Sequence, residues 1–308
     1  MSAPRVSIVI PTLNGGATLP AVLDRLAEQR VGFAFETLAI DSGSTDGSAD
    51  LLRGRVDCLM HIDRRAFDHG LTRNLGVERA RGELVVLMVQ DAVPASSDWL
   101  AALTRPLFED PTLAGAFSRQ VPRAGASGVT RCYHRRWLAA SLEPRVSRVR
   151  DIAAFSNLSP MDRHRLCVFD NVCSCIRRAV WAQHPFRATP IAEDLEWARA
   201  VLLAGHGLAY VPDAVVEHSH ERPARDEFRR TYLVHQRLHA LFDLRLIPDA
   251  PSLLRAIARS TVTHLRVADS VDPRTIARAL ALAVAWPLGQ YLGARSAPPP
   301  EHRPGGGG

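Results

Sequence analysis

Lysine is absent from this 308-residue chain, so every cation behind its net charge of +6 is an arginine. An arginine-only bias spread over a whole sequence reflects genome composition more directly than a selected anion-binding patch. The basic balance still favours an anionic partner: a nucleotide, a diphosphate, nucleic acid or a membrane surface. No stretch joins a basic run to interleaved stacking aromatics or a reading helix, which leaves nucleic acid without support. Cysteine is scarce, and Cys58, Cys132, Cys167, Cys173 and Cys175 form an odd set without a CxxC pair. That argues against a disulfide framework or a zinc knuckle and favours a reducing, cytoplasmic setting.

A GxGxxG fingerprint and a Walker lysine are also missing, which argues against dinucleotide-dependent dehydrogenases and P-loop NTPases. Long apolar runs are lacking. The opening MSAPRVSIVIP ends its short run in a proline and reads as a first strand, not a signal peptide. The last helical pattern, IARALALAVAWPLGQYL, is short and interrupted by Arg278 and Pro287, a poor fit to a membrane span. A packed or self-associating helix is the plain reading, and an interfacial membrane helix is the alternative. With 46% hydrophobic and 23% charged residues the chain is expected to fold over most of its length. The exception is SAPPPEHRPGGGG from Ser296, whose composition predicts a disordered tail spanning 296–308.

What is present is an α/β pattern. Short apolar runs at Val6 to Ile10, Thr37 to Ile40, Cys58 to Ile62, Leu84 to Val89 and Ala114 to Phe117 alternate with helical segments, the mark of a mostly parallel sheet. Arg123 to Leu166 is irregular and holds the cluster Arg131, Arg135, Arg136, Trp137. A strand at Val172 to Ile176, a helix from about Glu193 to Ala204 and two short strands, Leu208 to Val211 and Ala214 to Glu217, complete this part. Beyond Arg222 the pattern is helical, so the expected division is 1–221 for an α/β domain and 222–295 for a helical extension serving oligomerisation or membrane association.

The run LVVLMVQDAVP, Leu84 to Pro94, is apolar enough for a doubly covered central strand and ends in the lone carboxylate Asp91. A charge at that end of a buried strand lies on the usual ligand edge of an open α/β sheet. Taken alone, Asp91 would serve equally as the cap of a helix beginning near Ser97. The Gly-rich turn PTLNGG follows the first strand, and DSGSTDG follows the second with two carboxylates. Asp46 is placed to cap the next helix and Asp41, ending its strand, to face a cleft.

PTLNGG, IDSGSTDGS, FDHGLTRNLG, VQDAVP, FDNVCSCIRRAVW and AEDLEWA occur in the order and spacing of inverting glycosyltransferase family 2, with its GT-A fold. Within that family they resemble the bacterial rhamnosyltransferases most, over residues 4 to 220. The resemblance implies a Rossmann-like GT-A domain and transfer of L-rhamnose from dTDP-L-rhamnose to a glycan or lipid-linked acceptor. UDP-hexose or UDP-galactofuranose donors, or a non-catalytic nucleotide-sugar binder, remain as alternatives. It places Thr12, Asn14 and Asp41 at the base and ribose, where a carboxylate accepts from a pyrimidine N–H or a hydroxyl. His69, Arg73 and Asn74 would meet the diphosphate at a helix start. Asp91 matches the last acid of the family's Asp-x-Asp metal motif; Val89 stands where the first acid would be, and Gln90 between them is counted with the donor contacts. His218 or His220 of EHSHE would complete a Mg²⁺ or Mn²⁺ site, imidazole favouring Mn²⁺. Asp194 would be the general base, its neighbour Glu193 facing elsewhere because adjacent helical positions diverge. Peripheral contact with the inner membrane face and a homodimer are further expectations for the carboxyl-terminal helices.

Overall fold

The structure, a computed structural model, describes residues 3–296. In chain order the strands are β1 (Val6–Thr12), β2 (Phe35–Asp41), β3 (Cys58–His61), β4 (Leu84–Met88), β5 (Val93–Pro94), β6 (Leu113–Val121), β7 (Arg145–Arg148), β8 (Cys173–Arg177) and β9 (Gly207–Glu217). The helices of the first half are α1 (Leu19–Ala27), α2 (Ser48–Leu52), α3 (His69–Arg79), α4 (Trp99–Glu109), α5 (Gly128–Arg136) and α6 (Ile152–Asn157). Those of the second are α7 (Pro160–Leu166), α8 (Arg178–Gln183), α9 (Glu193–Leu203), α10 (Ala224–Phe242), α11 (Ala250–Val267) and α12 (Pro273–Gly293).

The strands join in one sheet, ordered β3-β2-β1-β4-β8-β6-β9-β5, with β7 also on β9. The first four pair in parallel, setting Thr12 level with Asp41 and Asp41 level with His61 at the carboxyl edge. Every residue of β4 is buried. Alternate side chains explain why: Val86 and Met88 join the cluster under Trp99, Leu100 and Leu103 of α4, while Val85 and Leu87 join Trp197, Ala198 and Val201 of α9.

β8 runs antiparallel to both β4 and β6, pairing Met88 with Cys173 and Phe117 with Ser174. Its amino end therefore meets the carboxyl ends of its neighbours. This one reversal brings residues 89–91, 118–121 and 170–172 to the same edge, and β9, parallel to β6, adds the segment after Glu217. Two strands expected between Leu208 and Glu217 are one. The pairing of β6 with β9 shifts register between Ser118 and Arg119, so residues 212–214 are absorbed without ending the strand. The expected irregular stretch from Arg123 to Leu166 also holds α5, β7, α6 and α7.

The helical region begins at Ala224. A Cβ added to Gly293 would lie 2.2 Å from the Tyr232 carbonyl oxygen, so α12 approaches the α10 backbone more closely than a side chain permits. Tyr232 Oη donates to Ser296 Oγ at 2.6 Å, and the rest of the expected disordered tail lies outside the described residues. Among the described residues no helix is long and apolar enough to cross a membrane.

Gly70, in the first turn of α3, tests how closely that helix is seated. A Cβ there would sit 2.1 Å from the backbone oxygen of Arg187, an atom that moves only if its whole segment moves. Gly70→Ala is therefore expected to lower stability by about 1–3 kcal/mol despite the better helix propensity of alanine, read as a fall in urea midpoint at unchanged slope.

Candidate active site

The turns after β1 and β2 are laced together. Asn14, at φ 50°, accepts the Thr45 amide on Oδ1 at 2.9 Å, Ser44 Oγ accepts the Asn14 amide at 2.9 Å, and Asp46 accepts the amides of Gly16 and Ser48. Asp46 thus accepts the first amide of α2 from one residue ahead of the N-cap, which is Gly47 and not Asp46 as expected. Thr12 and Asp41 are both 2% exposed beneath this lacing. Asp41 Oδ2 accepts from the amides of Gly43 and Ser44 at 3.2 Å, while Oδ1 is buried without a partner. A buried carboxylate oxygen left short of a donor is where a ligand N–H or hydroxyl fits.

The start of α3 is more self-contained. Asp68 caps it, accepting from Gly70, Leu71 and the distant Thr189 amide, so its first N–H groups are already satisfied. Arg73, 5% exposed, forms a 3.0 Å ion pair with Glu193 and donates to the His69 carbonyl at 2.8 Å. Asn74 donates to the Phe186 carbonyl and accepts from Trp181 Nε1 and the Phe186 amide, which ties α3 to the segment after α8. His69 packs edge-on to Phe67 at 5.1 Å and, half-buried, has its pKa lowered by desolvation. Gln90 is a clasp: its amide accepts the Leu13 N–H at 2.8 Å and donates to the Leu13 carbonyl at 2.9 Å.

Asp91, His218 and His220 converge, their ligand atoms within 4.8 Å of one another. His218 Nε2 lies 3.6 Å from Asp91 Oδ1 and His220 Nε2 3.6 Å from Oδ2. Asp91 caps no helix: α4 begins at Trp99 behind Asp98. Burial pushes both imidazoles below their usual pKa, His218 strongly, so each is neutral near pH 7 and offers a lone pair. One carboxylate and two neutral imidazoles meeting at one point fit a borderline divalent cation. Arg123 donates to the Asp91 carbonyl at 2.6 Å and lies 3.3 Å from Oδ2, adding a fixed positive charge that suits a bound diphosphate.

A polar relay sets the orientation of His218. Gln120 Nε2 donates to Asp170 Oδ2 at 2.6 Å, and the same carboxylate accepts the Val172 amide at 2.9 Å. Gln120 must then face His218 with its oxygen, which lies 3.2 Å from Nδ1. An amide oxygen only accepts, so Nδ1 carries the proton and Nε2 keeps its lone pair towards Asp91.

The next residue, Asn171, reaches the opposite way. Its amide donates to Asp194 Oδ2 at 3.2 Å and its side chain donates to Glu193 Oε1 at 3.2 Å. The adjacent acids of α9 thus share Asn171 and differ in what else they meet. Glu193 is 5% exposed against Arg73, while Asp194 is less buried and has no cation within ion-pair distance among the described residues. Burial of its carboxyl, then the charges of Glu193 and Asp170, push Asp194 well above the usual carboxylate pKa. For Glu193 burial pushes the pKa up, but the charges of Arg73 and His69 together with the hydrogen bonds it accepts outweigh it, and the pKa falls.

A cavity of about 110 Å³ opens beside the two histidines, walled by Trp137, Asp170, Arg230 and Trp286. Tyr133 links two of these rings, lying parallel to Trp137 at 6.4 Å and 5.4 Å from Trp286. The helical region therefore completes the site. The arginine cluster read beside Trp137 divides: Arg131 bonds Asp269 at 2.6 Å, and Arg135 and Arg136 line a separate surface groove with Arg266. Gln120, Arg123 and Asp170 carry no role in the sequence reading. Asp170 stood inside a quoted motif, and Gln120 is a polar residue near the end of an apolar strand, the one local signal available.

The fold is that of GT-A nucleotide-sugar enzymes. It is similar to the mannosyltransferase PcManGT of Pyrobaculum calidifontis, solved with GDP-Man and Mn²⁺, with a TM-score of 0.56 at 21% identity over 92% of this chain and 74% of that one. Glucosyl-3-phosphoglycerate synthase of Mycobacterium tuberculosis, solved with Mn²⁺ and UDP, gives 0.55 at 19% identity over 80% and 82%. Residues 7–163 match the family model for glycosyl transferase family 2. The O-antigen chain rhamnosyltransferase RfbN of Salmonella typhimurium is 31% identical over 233 residues, 74% of this chain and 70% of the relative. WbaN of Salmonella anatum, of the same description, is 28% identical over 232 residues, with the same shares. The chain belongs to glycosyltransferase family 2 and is a glycosyltransferase.

Gln120→Met keeps the volume of the side chain and deletes both hydrogen bonds of the relay. Mn²⁺ affinity, measured by the loss of free-ion electron resonance signal, is expected to fall roughly 10- to 100-fold. Retention of full affinity would show that His218 needs no such partner.

Proposed function

We propose that this enzyme transfers L-rhamnose from dTDP-L-rhamnose, with inversion, to a glycan or lipid-linked glycan at the cytoplasmic membrane face. The choice of sugar is supported by the O-antigen rhamnosyltransferases it is similar to. The chemistry is supported by one observation, the unequal acids that open α9. Glu193 is neutralised by Arg73, whereas Asp194 has a raised pKa and, among the described residues, no cation within ion-pair distance. A carboxylate of raised basicity near neutral pH is a suitable general base.

Asp194 takes the proton from the acceptor hydroxyl as its oxygen bonds to the anomeric carbon. The bond from that carbon to the diphosphate oxygen breaks on the opposite face with its electron pair, so no covalent enzyme intermediate is needed. Asp91, His218 and His220 would hold a divalent cation, which neutralises the departing nucleoside diphosphate. Arg123, anchored on Asp91, places a second positive charge beside it. The free oxygen of Asp41 accepts the imide N–H of thymine, with Thr12 and Asn14 shaping the same end of the groove. Residues 1–221 form the catalytic unit in this reading, and 222–295 wall the acceptor side through Arg230 and Trp286.

Nucleoside diphosphate release across a panel of dTDP-, UDP- and GDP-sugars should be greatest with dTDP-L-rhamnose; an equal or better UDP-hexose would overturn the donor assignment. Asp194→Asn should lower kcat by about 10²- to 10⁴-fold while leaving donor affinity in place.

The rate should also carry an acid limb. Protonated Asp194 cannot accept, so turnover rises with pH through its raised pKa. Glu193→Gln deletes a neighbouring negative charge and should move that limb to lower pH. A limb that stays in place would mean another group is titrating.

A further inference from the structure

The outer face of α11 has a composition unlike the rest of the surface. At about 100° per residue, Leu254, Ala258, Val262 and Leu265 fall within an arc of roughly 80°, and Arg255, Arg259 and Arg266 within roughly 40° beside it. All seven are exposed, Leu254 at 68%, Val262 at 49% and Leu265 at 40%. Only His264 in the whole helix is buried. Neither Ala250–Val267 nor Pro273–Gly293 contains an acidic residue. The exposed Arg135 and Arg136 of α5 share a groove with Arg266 and extend the basic edge. Among the described residues none of these five arginines forms an ion pair, although nearby Arg131 is matched to Asp269 and Arg278 to Glu221.

From this pairing of a bare apolar arc with unneutralised arginines, we propose that α11 is a membrane-docking helix that lies in the headgroup region of an anionic bilayer. Charge complementarity selects this occupant. A second copy of the chain packed antiparallel on this face about a two-fold axis would set the arginine edges against each other, without an acid on the helix to relieve them, and one packed parallel would leave both edges unpaired. Nucleic acid would match the arginines and leave the leucines and valine in water. An anionic bilayer takes both: the apolar arc enters the acyl boundary and the guanidinium groups stay at the phosphates. The arrangement deepens the reading of a lipid-linked acceptor, because it would hold the enzyme where such an acceptor is embedded.

Co-sedimentation of the full chain with phosphatidylcholine vesicles, with and without phosphatidylglycerol, tests this. Binding is expected only with the anionic lipid and should weaken in high salt. Arg255→Gln/Arg259→Gln/Arg266→Gln should lower partitioning about 100-fold, at roughly fivefold per arginine near the surface. Leu254→Ser/Leu265→Ser should lower it by at least about tenfold, and nucleoside diphosphate release with a water-soluble acceptor should be unchanged in both variants. Partitioning that ignores lipid charge, or that survives both sets of substitutions, would overturn the proposal. So would a concentration-dependent dimer that Leu254→Ser/Leu265→Ser dissociates, which would assign the face to a second copy. Vesicle binding is read without turnover, so a wrong donor assignment would leave this result untouched.

Discussion

The site depends on the buried pair between Arg73 and Glu193. Their side chains are each 6% exposed, and loss of one partner from such a pair costs about 3–5 kcal/mol because the other charge is stranded. The pair joins α3 to α9, two helices far apart in sequence, and does so at the first residue of the helix that presents Asp194. Asn171 reinforces the joint through Glu193 Oε1 and the Asp194 carboxylate. Geometry and electrostatics are set together here. The cation that locks the helix start is taken up by Glu193, and Asp194 keeps the higher proton affinity that its buried position and two neighbouring acids impose.

The same short turn carries the other half of the site. Asp170 faces Gln120 and through it His218, while Asn171 faces the acids of α9, so two consecutive residues brace the cation-binding edge and the base. The reversal of β8 makes this feasible. Had β8 run parallel to β4, its carboxyl end would lie beside Asp91 and the turn that precedes it would be at the far edge of the sheet. One antiparallel strand in the middle of the sheet is thus a functional device: it delivers the beginning of a strand to an edge otherwise built from strand ends.

This explains which parts were legible in the sequence. The alternation of apolar runs with helical patterns located β1 to β4 and α9 closely, because burial on both faces leaves an unbroken apolar run. Asp91, Asp41 and the acids of α9 stood out because each interrupts such a pattern at an element's end. The direction of β8 leaves no trace in local pattern, so the convergence of Gln120, Arg123 and Asp170 was hidden. The start of α3 is also less open than the sequence suggests for Arg73 and Asn74, expected there as contacts to a diphosphate. Asp68 already satisfies that start, and protein groups engage both side chains, with Arg73 Nε alone left without a partner. The split strand near Pro212 was a fair inference from an interrupted apolar run, but a register shift lets the pairing resume beyond it.

Arginine, the sole cation of the chain, illustrates why composition and placement answer different questions. Some arginines are used for their fork alone: Arg177 donates to the carbonyls of Leu107, Asp110 and Leu113 and closes the end of α4 against the sheet. Others neutralise a single chosen acid, as Arg73 does Glu193 and Arg81 does Glu36. Arg123 sits at the cation cluster on a backbone carbonyl, its charge only partly met by Asp91. Among the described residues, Arg255, Arg259 and Arg266 of α11 form no ion pair, Arg255 only lying near enough to Asp249 to act on its charge. A genome-wide preference can put arginine in place of lysine everywhere, but it cannot remove aspartate and glutamate from two adjoining helices. The missing acids, more than the arginines, therefore mark where the protein leaves its positive charge unanswered.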